Sequence, residues 1–198
     1  MSVSKTIKQR GLLACLLLLA SVGVIFSISP PHASSDGGNC QAAPQELANF
    51  EPTIPPTPVP ETIFYREDDS ETTLADYAGT GLVLNFWATW CAPCVREMPQ
   101  LNRLKMLGDG TGFDVIAVSE DRNGTSTIKE FYATNKLDNL EVLLDKKMRL
   151  LNVLNVRGLP TTILIDSHGL EVGRAEGPAE WDQPNVLSFI KRCVGEIN

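Results

Sequence analysis

The segment Phe86–Pro99, FWATWCAPCVREMP, limits the possible folds of this chain more than any other stretch. Leu82–Phe86 is apolar apart from Asn85, the pattern of a strand covered on both faces. Cys91–Leu107 reads as a helix with Met98, Leu101 and Leu104 on one face. A strand must therefore end, cross a short loop carrying Trp87 and Trp90, and enter a helix whose first turn holds two cysteines.

The remaining elements alternate around that unit. Phe113–Val118 reads as a second strand. Thr127 and Glu130 have the spacing of a capping box for a helix burying Ile128, Phe131 and Tyr132. Val142–Leu144 is a short strand, and Lys146–Leu154 a helical stretch. Thr161–Ile165 and Leu170–Arg174 make a hairpin across Asp166–Gly169. The last helix, Gln183–Val194, buries Val186, Leu187, Ile190 and Val194. No internal repeat is present. The order predicts an α/β domain over 61–198, built on one central sheet flanked by helices.

Placing Cys91 where a helix begins has a chemical consequence. The free N–H groups of a first helical turn and the positive end of the helix dipole stabilise a thiolate over a thiol. Cys91 is therefore the expected nucleophile. Cys94, one turn on, is placed to attack a mixed disulfide formed at Cys91 and release the partner. Pro93 falls early in the helix, where a missing N–H costs nothing. A zinc half-site is the competing reading, but zinc wants two further ligands. The chain has two histidines, His32 and His168, and no second CxxC; His168 reads as a solvated turn residue.

The N-terminus carries Lys5, Lys8 and Arg10 without an acid, and Leu12–Ile28 follows as a run of 17 uncharged residues. This predicts a cytoplasmic segment over 1–10 and one transmembrane signal-anchor over 11–29, with the rest of the chain across the membrane. Ser27 and Ser29 would suit a signal cleavage site, but Pro30 follows directly, so an uncleaved anchor is expected. Residues 30–60 hold Pro30, Pro31, Pro44, Pro52, Pro55, Pro56, Pro58 and Pro60 and read as a stiff Pro-rich tether on the far side of the membrane, with a short helix possible around Gln41–Phe50. The formal charge of −7 includes the three N-terminal cations, so the remainder is more acidic still. That argues against nucleic acid as a partner.

The Phe86–Pro99 segment resembles the active-site stretch of the thioredoxin superfamily, and more closely its membrane-anchored bacterial branch typified by TlpA and ResA. The resemblance runs from about Pro60 to the C-terminus. It is carried by the WCxPC core, Glu97 and Pro99, the segment GLPTT, and GPAEW at Gly177–Trp181, the last being similar to TlpA in particular. It implies a thioredoxin fold, a central mixed sheet with flanking helices, and a thiol:disulfide reductase of the bacterial inner membrane whose catalytic domain lies in the periplasm. It implies a disulfide-containing client, either apocytochrome c or a copper-site assembly protein, and a membrane electron donor. No cofactor or metal beyond the Cys91–Cys94 pair is implied.

The same resemblance assigns roles to single residues. Pro160 matches the family's cis-proline, which aims the backbone of Leu159 at a client; a trans proline opening a strand is the alternative. Trp90, Leu159 and Pro160 would together bind the client. Glu97 matches a glutamate beside the active site of ResA-like proteins and would exchange a proton with a thiol, the alternative being a solvated helix glutamate. Thioredoxin carries a buried aspartate where this chain has Asn85, so Glu97 is the nearest carboxylate able to replace it.

Cys40 and Cys193 are left over. TlpA pairs a cysteine matching Cys40 with one that would fall near Leu170 here, so that pairing is broken. A Cys40–Cys193 bridge would pin the N-terminal extension to the domain; a core thiol at Cys193 and a free or intermolecular Cys40 stay open. Other functions also remain: a disulfide-donating oxidase of the same fold, or a copper chaperone, for which the cysteines are one residue too close and no histidine is in place. A peroxidase is disfavoured, since no cysteine is flanked as a peroxidatic one would be.

Overall fold

A computed structural model describes residues 40–195. The segments 1–10 and 11–29, the first part of the tether, Cys15 and His32 lie outside the described residues. Among the described residues no helix is long and apolar enough to cross a membrane.

Eight strands form one mixed sheet. In chain order they are β1 (Phe50–Pro58), β2 (Phe64–Arg66), β3 (Glu71–Thr72), β4 (Gly81–Trp87), β5 (Phe113–Ser119), β6 (Leu143–Leu144), β7 (Thr161–Ile165) and β8 (Leu170–Glu176). Across the sheet they run β1-β8-β7-β4-β5-β6-β2-β3. β4 is parallel to β5 and antiparallel to β7, and β7 and β8 form the expected hairpin. The helices are α1 (Ala92–Gly108), α2 (Thr125–Asn135), α3 (Arg149–Val153) and α4 (Pro184–Val194).

β4 is buried along its whole length because its side chains alternate between two cores. Val83 and Trp87 meet α1, α2 and α4 through Met98, Leu101, Leu104, Ile128, Val186 and Ile190. Leu82, Leu84 and Phe86 meet Leu150 and Leu154 on the other face. A strand read as apolar on both sides is one that needs helices on both sides, and this one has them. The fold is thioredoxin-like α/β, as expected.

Three local expectations are corrected. The tether reading of 30–60 does not hold for its described part. Gln45–Leu47 forms a 3-10 turn, and β1 pairs with β8 through Phe50↔Ala175, Glu51↔Arg174 and Pro52↔Gly173, then again at Thr57 and Pro58. Four prolines fit this strand because it lies at the sheet edge, where a missing N–H faces no ladder partner, and the pairing lapses between Pro52 and Thr57. Thr127 and Glu130 do not cap α2, which starts two residues earlier behind Gly124 at φ +83° and has no side-chain cap. The helix expected over Lys146–Leu154 is shorter, because the Asp145 carboxylate accepts hydrogen bonds from the Arg149 and Leu151 N–H groups and sets its start.

Candidate active site

The central strand β4 ends at Trp87, and the loop Ala88–Trp90 carries the chain to α1. That loop is held from both ends. Cys91 N–H donates to Ala88 O at 3.1 Å. Thr89 donates through its N–H (2.9 Å) and its hydroxyl (2.7 Å) to the Asp121 carboxylate just beyond β5, which Ser119 Oγ also reaches at 2.7 Å. Trp90, between these ties, is 65% exposed.

Cys91 is the N-cap of α1, with extended backbone, and Pro93 follows within the first turn. The Cys94 N–H points at Cys91 Sγ, 3.4 Å away. A helix N-terminus offering its N–H to a sulfur favours the thiolate whenever that sulfur is reduced. In this structure the two sulfurs are joined as a disulfide, with Cα atoms 5.3 Å apart. Cys91 keeps 6% of its surface and Cys94 none, so the first sulfur is the one a partner can reach.

Glu97, one turn beyond Cys94, is 2% exposed rather than solvated. Its Oε1 accepts from Asn85 Nδ2 at 3.0 Å, and its Oε2 from Trp181 Nε1 at 3.0 Å and Ala179 N–H at 3.3 Å. Burial pushes its pKa up to about 7, and the three hydrogen bonds, which favour the anion, hold it from rising further. Asn85 also donates to Thr162 Oγ1 at 2.9 Å, so the side chain standing where thioredoxin has an acid serves here to position Glu97.

The Leu159–Pro160 peptide bond is cis. Pro160 immediately precedes β7, whose pairing with β4 ends at Phe86↔Thr161, so it comes to the end of the sheet from which Cys91 emerges. Pro160 O accepts from Gly177 N–H at 2.8 Å. This links the proline to the Gly177–Trp181 segment that contacts Glu97. Trp181 N–H donates to Gln100 on α1 at 2.8 Å. A groove of about 770 Å³ runs beside this junction, lined among others by Pro93, Arg96, Glu97, Glu46 and Asn49.

Sequence reasoning missed three groups. Trp181 stands in the Gly177–Trp181 motif, which assigns it no role. Asp121 and Thr89 carried no signal that they would meet. Glu120 is 1% exposed with neither carboxylate oxygen hydrogen-bonded, and burial together with the charges of Asp145 and Asp121 pushes its pKa up to about 9. Cys40 and Cys193 are both buried and stand outside any disulfide in this structure, well apart in sequence from the Cys91–Cys94 couple. His168 is exposed in the β7–β8 turn, its N–H donating to Asp166. Among the described residues no cluster of three or more His, Cys, Asp or Glu side chains could hold a metal ion.

Residues 55–190 match the Redoxin family. Thiol-disulfide oxidoreductase ResA of Geobacillus kaustophilus is 41% identical over 96 residues, which are 48% of this chain and 54% of that protein. The chain thus spans about half the length of that relative. Among solved structures, a protein described as a thiol:disulfide interchange protein DsbE from Chlorobium tepidum superposes with a TM-score of 0.60 at 27% identity, covering 68% of this chain and 96% of the other. The exposed lipoprotein thioredoxin of Streptococcus pneumoniae gives 0.58 at 28% identity, covering 67% and 98%.

Proposed function

The chain belongs to the redoxin family, and on that premise we propose that it is a thiol–disulfide oxidoreductase that reduces disulfides in partner proteins. The observation that carries this reading is Cys91 at the N-cap of α1, disulfide-bonded to a fully buried Cys94. The naming of a ResA protein as a thiol-disulfide oxidoreductase supports it.

In the reduced protein the Cys91 thiolate attacks one sulfur of a client disulfide. A bond forms between them, and the client's other sulfur leaves as a thiolate and takes up a proton. Cys94 then loses its proton, attacks Cys91 Sγ and expels the client's first sulfur as a thiolate that takes up a proton in turn, leaving the Cys91–Cys94 disulfide and a client dithiol. Glu97, one helical turn from Cys94 with a pKa of about 7, is the group placed to receive that proton near neutral pH. Trp90 offers an exposed apolar face next to the reactive sulfur, and the Leu159 backbone before cis-Pro160 offers strand-like pairing for the client chain.

The finer setting belongs to the same proposal. The basic segment 1–10 and the apolar run 11–29 anchor the chain in a bacterial inner membrane with this domain in the periplasm. The clients are apocytochrome c or copper-site assembly proteins, and a membrane electron donor returns the couple to the dithiol.

Trapping with Cys94→Ser tests the reading directly, since the mixed disulfide on Cys91 then persists and its protein can be identified. Recovery of no disulfide-linked client from cells expressing the full chain overturns it. Direction is tested by titrating the couple in glutathione buffers. A potential near that of strong oxidants, about −120 mV, would make the protein a disulfide donor instead.

A further inference from the structure

The second pair of cysteines sits at a built junction. Asn185, Phe189 and Cys193 fall at four-residue steps along α4 and so form one stripe. Each meets the segment that leads into β1. Asn185 Nδ2 donates to Glu46 Oε2 at 2.7 Å, Phe189 takes the Phe50 ring edge-on with centroids 5.0 Å apart, and Cys193 lies in the same buried core as Cys40. Cys40 is 1% exposed and Leu47 is fully buried in the same core. The segment so held supplies Glu46 and Asn49 to the groove beside α1.

We propose that Cys40 and Cys193 join in a structural disulfide that staples this segment to α4 and fixes one wall of the groove next to Cys91. Two buried thiols in one core, on segments already held together at Glu46–Asn185 and Phe50–Phe189, need little movement to reach bonding geometry. The bond forms by exchange with an oxidising disulfide, either a low-molecular-weight one or a disulfide-donating protein. One cysteine thiolate attacks it and releases the first leaving thiol. The second cysteine thiolate then attacks the mixed disulfide and releases the other, so two cysteine thiols are oxidised as one disulfide is reduced to two thiols. The neighbouring Cys40 thiol and burial both push the Cys193 thiol's pKa up, which makes attack slow once α4 has docked. Oxidation therefore belongs to folding, before the pair closes.

The test uses the full chain carrying Cys91→Ser and Cys94→Ser, so its outcome does not depend on the activity proposed for that couple. The protein is unfolded, reduced and refolded in a glutathione and glutathione disulfide buffer, then acid-quenched, denatured and alkylated without reduction. A linked Cys40–Cys193 peptide pair is expected by mass spectrometry, both residues becoming alkylatable only after reduction while Cys15 is alkylated throughout. Free thiols at both positions, or Cys40 bonded to Cys15 or to a second chain, would overturn the proposal. Refolding with a reductant in place of the redox buffer should lower the Tm by roughly 5–15 °C. An unchanged Tm would show that the two thiols only pack together.

Discussion

The indole N–H of Trp181 lies 3.0 Å from Glu97 Oε2, across 84 residues of sequence. On the other oxygen of the same carboxylate, Asn85 donates from the central strand. The carboxylate is thus suspended between the sheet and the segment that precedes α4, buried deeply enough to keep its proton and bonded well enough to release it near neutrality. Whether Glu97 acts as a proton acceptor turns on this arrangement.

Replacing Glu97 by Gln keeps the shape and removes the ionisation. The Asn85 amide can flip to present its unpartnered Oδ1 to the new NH2 group, so the fold should survive. The rate at which Cys94 resolves a mixed disulfide should lose its inflection near pH 7 and fall roughly 100-fold at neutral pH. Stability should change with the opposite sense. With a folded pKa of about 7 against an ordinary glutamate value of 4.5, the native state holds a proton that the unfolded chain releases. Unfolding free energy therefore declines as pH rises from the lower value through the higher. Glu97→Gln should match the parent at pH 4 and exceed it by roughly 3 kcal/mol at pH 8, as read from urea denaturation at both.

Trp181→Phe tests the bond itself. The ring still fills most of its site, but Oε2 loses a donor that favoured the charged form. The Glu97 pKa should rise above about 7, and the inflection in the exchange rate should move up by about one pH unit, equivalent to about 1.4 kcal/mol for a hydrogen bond to a charge. An unmoved inflection accompanied only by lower stability would reduce Trp181 to packing.

Glu120 faces the charges of Asp121 and Asp145 with both of its oxygens unpartnered, and its pKa is pushed up to about 9. The sign is again that of a raised carboxyl. The native state is favoured while Glu120 keeps its proton, and stability declines as pH climbs through the window from the ordinary glutamate value of 4.5 to about 9. Glu120→Gln should flatten this slope, so that variant and parent differ little at pH 5 and the variant is clearly more stable at pH 9. Denaturation midpoints at the two pH values measure it. A parent protein equally stable at both would show that Glu120 is not held neutral.

The strand–loop–helix unit around Cys91 was legible because each of its parts leaves a local mark: an apolar run, a turn, a helical period. Glu97 could be named from its position on the helix, yet its partners could not. Asn85 and Trp181 meet it only through the sheet and the loop before α4, and no periodicity encodes contacts between elements so far apart in sequence. Asp121 was hidden for the same reason, since Thr89 reaches it across the parallel β4–β5 pair. The error over β1 has a different origin. Prolines at 52, 55, 56 and 58 suppress every propensity signal for a strand, and an edge position that tolerates them is known only once the sheet is assembled. The same composition assigns Cys40 to the tether, although its burial places it in the domain.

The docking of β1 can be tested where it depends on a missing side chain. Gly173 on β8 pairs with Pro52, and a Cβ at that position would run into the Phe50 ring and come within 2.9 Å of Glu51 O. Gly173→Ala should therefore force the ring and the strand outward, at a cost of about 1–3 kcal/mol for an overpacked site. Amide exchange should speed up in residues 50–58 while β4 and β5 stay protected, because those strands are held by helices on both faces. Adding Phe50→Ala to Gly173→Ala relieves the collision, so the double variant should be less destabilised than the sum of the two single ones. Strict additivity would mean that Phe50 does not pack on Gly173 and that β1 is held by its backbone pairing alone.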